Sequence, residues 1–146
     1  MRVNFRIEKQ FRRNIDIKKL MGIINRAEDI LEFEEVSEIT IAILGNDKML
    51  EINSRYRKTN TTTDVLSFSS NEIDPESGNR YLGDIILSFP QAFQQAEEFC
   101  HNVNDEISQL IIHGLLHLSG YDHQNKSDET RMFAIQENIL KEIENN

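Results

Sequence analysis

One run of eleven residues constrains this chain more than any other: His113-Gly114-Leu115-Leu116-His117-Leu118-Ser119-Gly120-Tyr121-Asp122-His123. It holds three of the four histidines. His113 and His117 stand four apart, so on a helix both imidazoles project from one face. Gly120 can end that helix, because glycine tolerates the left-handed backbone of a C-cap. The chain then reverses and brings His123 back beside the other two. Three neutral imidazoles around one point make an open divalent-metal site, zinc first, with water as fourth ligand. Nickel or cobalt fits three imidazoles as well, since affinity order alone does not select zinc. A site of this kind points to a hydrolase.

The rest of the chain supplies a scaffold. Val3, Phe5 and Ile7 alternate with polar residues, the period of a half-buried strand. Asp16 is placed to cap a helix carrying Ile17, Leu20, Met21, Ile24, Ala27 and Leu31. Ile39, Ile41 and Ile43 form a second strand, ended by Gly45. Asn46 or Asp47 caps a helix with Met49, Leu50, Ile52 and Tyr56. A Thr-rich loop from Thr59 to Thr63 leads to a third strand at Val65 to Phe68. Residues from Ser70 to Arg80 read as an exposed loop or wide hairpin connection.

Leu82 to Leu87 is a fourth strand. Ser88 with Pro90 starts a helix carrying Phe93, Ala96 and Phe99. Asn104 is placed to cap the next helix, which is apolar on most sides and therefore central and buried. Ser127 caps a last helix. The order β-α-β-α-β-β-α-α-α predicts one α+β domain over residues 1–146: a mixed sheet of about four strands packed with about five helices, and a zincin-like metal site on the central helix.

A length of 146 residues fits one core. No apolar run approaches the roughly 20 residues a bilayer span needs. The opening residues do not read as a signal peptide, and the single Cys100 rules out an internal disulfide, so a cytoplasmic location is expected. The net charge of −9 argues against a generic nucleic-acid coat, and no DNA is expected as a partner. Positive charge nevertheless gathers locally, at Arg2, Arg6, Lys9, Arg12, Arg13, Lys18 and Lys19, and again at Arg55, Arg57 and Lys58.

The spacing His-x-x-x-His-x-x-Gly-x-x-His matches the ligands of metzincin metalloproteases. One departure bears on the reaction. Metzincins carry glutamate after the first histidine as general base, and here Gly114 has no side chain. An amine leaves poorly unless protonated, so peptide hydrolysis would be slow. A phosphodiester makes different demands, because a metal and a nearby arginine stabilise its anionic transition state. Asp122 is placed to orient a ligand imidazole or take a proton from water, or else to bond turn amides. His101 sits apart, near a helix end, outside the metal set.

A second constellation precedes the histidines. Asn53, Tyr56 and Arg57 are followed by Thr63-Asp64-Val65-Leu66-Ser67-Phe68, then by Leu82-Gly83-Asp84-Ile85. Taken in this order with the histidine run, the chain resembles the YbeY family of endoribonucleases over about residues 50 to 125. Thr62 and Ser69 depart from the prolines that family often has there. Thr63, Asp64 and Asp84 read instead as strand-end capping residues, outside the catalytic set.

The resemblance implies a zinc-dependent, single-strand-preferring endoribonuclease. It further implies maturation of the 3′ end of small-subunit ribosomal RNA and ribosome quality control, with ribosomal RNA and the small subunit as partners. It places His113, His117 and His123 as metal ligands and Arg57 as a residue of the catalytic site. Arginine offers a planar fork suited to phosphate oxygens, while a cation at a helix C-terminus is favourable in its own right. Two rivals stand beside this reading: a reduced metalloprotease, and a non-catalytic, metal-stabilised ribosome assembly factor.

Overall fold

A computed structural model describes residues 1–33, 36–57, 65–120 and 126–144. The described elements are β1 (Arg2–Ile7), a 3-10 helix (Lys9–Asn14), α1 (Ile17–Leu31), β2 (Ser37–Leu44), α2 (Asn46–Arg57), β3 (Val65–Ile73), β4 (Arg80–Ser88), α3 (Phe89–Glu98), α4 (Val103–Leu118) and α5 (Lys126–Glu144). They build a single-domain α+β fold with the expected element order. The described strands form one sheet in the order β1-β2-β4-β3. β1, β2 and β4 run parallel, and β3 pairs antiparallel with β4.

Period-2 burial along β2 sets the sheet's two faces: Ser37, Ile39, Ile41 and Ile43 are buried, and the residues between them only partly so. Ile41 pairs with Ile85 and Ile43 with Leu87, so β2 and β4 present one continuous aliphatic surface. Leu20, Ile23, Ile24 and Ala27 of α1 join it in a single core with Ile107, Ile111 and Leu115 of α4. Helix α2 packs on β4, and Met49 and Leu66 are buried apart from that core. Leu66 pairs with Ile86, one residue out of step with Ile85, and so lies on the opposite face.

Several boundaries differ from the sequence expectations for local reasons. β3 continues to Ile73 and β4 begins at Arg80, which shortens the connection to residues 74–79. Asp74 closes that turn by accepting from the Glu76 backbone N–H and the Ser77 hydroxyl, both at 3.0 Å. Asn102, not Asn104, caps α4, accepting from Asp105 N at 3.0 Å. Asn104 instead ties α4 to the N-terminal region, accepting from Asp16 N and donating to Asn14 O, each at 2.9 Å.

In α3 the buried residues are Phe89, Ala92 and Ala96, whereas Phe93 and Phe99 are exposed. α5 already begins at Lys126, ahead of Ser127. The 3-10 helix had no periodic signal. It is held by Phe11, which stacks on Phe89 with ring centroids 4.6 Å apart.

Candidate metal centre

Helix α4 touches α1, α3, α5, β3 and β4. From Glu106 to Leu118 every residue is buried except three: Gln109, His113 and His117. These recur at i, i+4, i+8 and form one stripe along the helix. From Glu106 onward the helix is thus covered everywhere but on the line that carries the histidines. Their Nε2 atoms lie 3.1 Å apart, and the rings meet at 76° with centroids 4.6 Å apart. Two nitrogens bound tetrahedrally to one ion at about 2.0–2.1 Å would stand roughly 3.3 Å from each other. The pair therefore suits two ligands of one ion. Among the described residues, no third His, Cys, Asp or Glu joins them to make a group of three.

The rest of the expected site lies beyond what is described. His123 and Asp122, together with Tyr121, Thr63 and Asp64, fall outside the described residues. Arg57 is the last residue of α2, a helix C-terminus as expected, and its side chain also falls outside. Asn53, on the same helix, is fully buried. Gly120 ends α4 with φ +100°, and its N–H donates to His117 O at 3.1 Å. The turn after the histidine pair therefore uses glycine for the anticipated reason. His101 is engaged elsewhere, its Nε2 2.7 Å from Glu106 Oε2.

Two glycines explain how α4 reaches its place. A Cβ on Gly114 would lie 3.1 and 3.2 Å from Ile85 Cγ2 and Cγ1 and 3.2 Å from Ser67 Oγ. The residue after the first histidine is therefore where α4 presses on the β3–β4 pair, and a side chain there would require Ile85 and Ser67 to give way. Gly83 sits under the last turn of α4 at φ +143°; its Cβ would stand 2.0 Å from the Phe68 carbonyl oxygen and 3.0 Å from Leu118 Cδ2. Sequence reasoning missed both contacts. The Gly83-Asp84 and His113-Gly114 pairs held the signal, but nothing local showed that they face each other.

Asp84 is not a strand-end cap. It lies inside β4, paired with both Thr40 and Phe68. The Tyr81 hydroxyl donates to the Asp84 carboxylate and lies 2.6 Å from Thr40 Oγ1. Burial, then the bond to Asp84, pushes the Tyr81 phenol above its ordinary pKa, with Thr40 opposing. At the far end of the sheet, Glu8 Oε1 accepts from Gly45 N at 2.9 Å. That backbone bond holds the Glu8 carboxyl below its usual value.

The fold and the histidine pair define a class: a single-domain α+β protein with two adjacent, partly exposed histidines on a mostly buried central helix. Comparison with known proteins then specifies the family. The model for "Endoribonuclease YbeY" matches residues 3–144. The chain is 37% identical over 132 residues to Endoribonuclease YbeY of Bacillus mycoides, covering 86% of this chain and 85% of that one. It is 38% identical over 134 residues to the Brevibacillus brevis protein of the same name, covering 83% and 84%. The solution structure of TM1509 from Thermotoga maritima superposes with a TM-score of 0.65 at 26% identity, covering 97% of this chain and 88% of that one. This chain belongs to the YbeY endoribonuclease family. Among the described residues, no helix is long and apolar enough to cross a membrane.

Proposed function

We propose that this chain is a divalent-metal-dependent endoribonuclease that cuts single-stranded RNA. On this reading it matures the 3′ end of small-subunit ribosomal RNA, takes part in ribosome quality control, and works in the cytoplasm on ribosomal RNA and the small subunit. One observation carries the reading. The only opening along the middle of α4 bears two imidazole nitrogens 3.1 Å apart, in a chain of a family named for cutting RNA.

His113, His117 and His123 would hold the ion, zinc first and nickel or cobalt as substitutes. When bound, such an ion supplies Lewis-acid activation of water and of the phosphoryl oxygen. His113 and His117 ride on a helix fixed by packing on nearly every side, so their geometry is set in advance of binding. Arg57, at the end of α2, grips the phosphate with its guanidinium fork and offsets charge developing on the oxygens. Asp122 orients a ligand ring or takes a proton. The closed space at Gly114 weighs against a peptidase, whose general base would have to stand there.

The test is elemental analysis of the native protein followed by cleavage of structured RNA with and without chelator. His113→Ala and His117→Ala should each lose both metal and cleavage. Arg57→Ala should keep metal and lose most activity. Full RNase activity in metal-free His117→Ala protein would overturn the proposal. So would a metal-loaded wild type that cuts no RNA and merely unfolds on chelation, the behaviour of an assembly factor.

A further inference from the structure

The N-terminal basic cluster lies outside the residues proposed for the histidine site, yet its charge is concentrated. Residues 2–19 carry seven Lys and Arg against two acids, while the rest of the chain carries nine against 23. We propose that the edge formed by β1 and the 3-10 helix is a phosphate-backbone track for single-stranded RNA. It would grip the strand several nucleotides away from the scissile bond. This inference rests on the RNA-cutting function proposed above.

The two acids of the segment are occupied with the fold. Glu8 accepts from Gly45 N and from Gln10 Nε2, both at 2.9 Å, and Asp16 caps α1 by accepting from Lys19 N at 3.1 Å. Lys19 pairs with Asp105. The remaining cations face outward: Arg2, Arg6, Lys9, Arg12, Arg13 and Lys18 are all exposed. Among the described residues, none of them makes an ion pair. Charged side chains on an edge strand also guard it against pairing with another chain. That accounts for Arg2 and Arg6 on β1, but not for Lys9, Arg12, Arg13 and Lys18, which lie beyond the strand.

The cluster is rigidly mounted, so its distance from the histidines is fixed. Phe11 is stacked on Phe89, and Arg12 Nε donates to Ile7 O at 3.3 Å. Asn104, in the first turn of α4, bonds both Asp16 N and Asn14 O. His113 and His117 follow on that same helix. At about 1.5 Å per residue they stand about 14 and 20 Å further along it. A stacked strand advances about 3.4 Å per nucleotide, so the gap corresponds to about four to six nucleotides. The rest of the chain is net acidic, so apart from the cations around Arg57 this edge is the favourable path.

The track predicts a length threshold. Strands of three nucleotides carry too few phosphates to contact the whole cluster or to extend from it toward the histidines, whereas 20-nucleotide strands do both. Binding of labelled single-stranded RNA of both lengths is measured by anisotropy with chelator present, across a salt series. Each lost phosphate contact lowers the log–log salt slope by about 0.7 for a single strand. Lys9→Gln/Arg13→Gln should therefore reduce the slope for the long strand by about 1.4 and weaken its binding severalfold. The preference for long over short RNA should shrink accordingly.

Arg6→Gln/Lys9→Gln is a second pair that touches no hydrogen bond of the 3-10 helix. Unchanged slope and unchanged length preference in both folded variants would overturn the track. Because binding is read without metal, that outcome is distinct from a failure to cleave, which bears on the function alone.

Discussion

Gly22 and Gly114 both lie inside helices, yet only at Gly22 should replacement with alanine raise stability. Alanine is favoured over glycine in a helix interior by about 1 kcal/mol. Nothing lies within 4 Å of a Cβ built on Gly22, so Gly22→Ala should stabilise by about 0.5–1 kcal/mol. At Gly114 the same methyl would stand 3.1–3.2 Å from Ile85 and Ser67. Ordinary carbon contacts lie at about 3.5–4.0 Å, so α4 or β4 must yield by several tenths of an ångström. Both are clamped in the core, and overpacking of this sort costs about 1–3 kcal/mol. Gly114→Ala should therefore come out between neutral and about 2 kcal/mol destabilising.

Propensity is common to both variants and cancels, which leaves a difference of about 1–3 kcal/mol. At about 3 °C per kcal/mol for a chain of this size, the two melting temperatures should differ by about 3–9 °C. Calorimetry on the two variants and the wild type reads this directly. Ile85→Ala removes both crowding carbons and should relieve Gly114→Ala in a double-mutant cycle, with a coupling on the order of 1 kcal/mol. If Gly114→Ala stabilises as much as Gly22→Ala, the close approach of α4 to the sheet is refuted, and with it the reason no glutamate stands after His113.

Two further outcomes follow from the same geometry. Gly83→Ala places a methyl 2.0 Å from the Phe68 carbonyl oxygen at φ +143° and should cost at least about 3 kcal/mol; a variant melting with the wild type would contradict this. Tyr81 should impose a loss of stability at alkaline pH. Its raised pKa means the folded state holds the phenolic proton more tightly than the unfolded chain does. The contribution is complete below about pH 10 and is lost as pH rises through the folded pKa. Urea unfolding between pH 8 and 11 should show a flatter decline for Tyr81→Phe than for the wild type, and equal slopes would show that Tyr81 is not the group responsible.

What the linear order of residues settles here is local. Alternation in Ile39, Ile41 and Ile43, the cap at Asp16, the Ser88–Pro90 start and the stop at Gly120 each depend on neighbours within four residues, and each is seen as read. The joint projection of His113 and His117 is local in the same sense, because helical periodicity alone dictates it. The 3-10 helix escaped because one anchoring ring, Phe11 on Phe89, carries it across 78 positions, and no repeat pattern announces such a contact.

Tertiary structure alone decided that β4 runs between β2 and β3, that Gly83 and Gly114 seat one helix on that pair, and that burial of α4 from Glu106 to Leu118 spares only the stripe of Gln109, His113 and His117. Those outcomes depend on which surfaces, distant along the chain, exclude water together. Packing of that kind is a property of the assembled core, and no single segment encodes it.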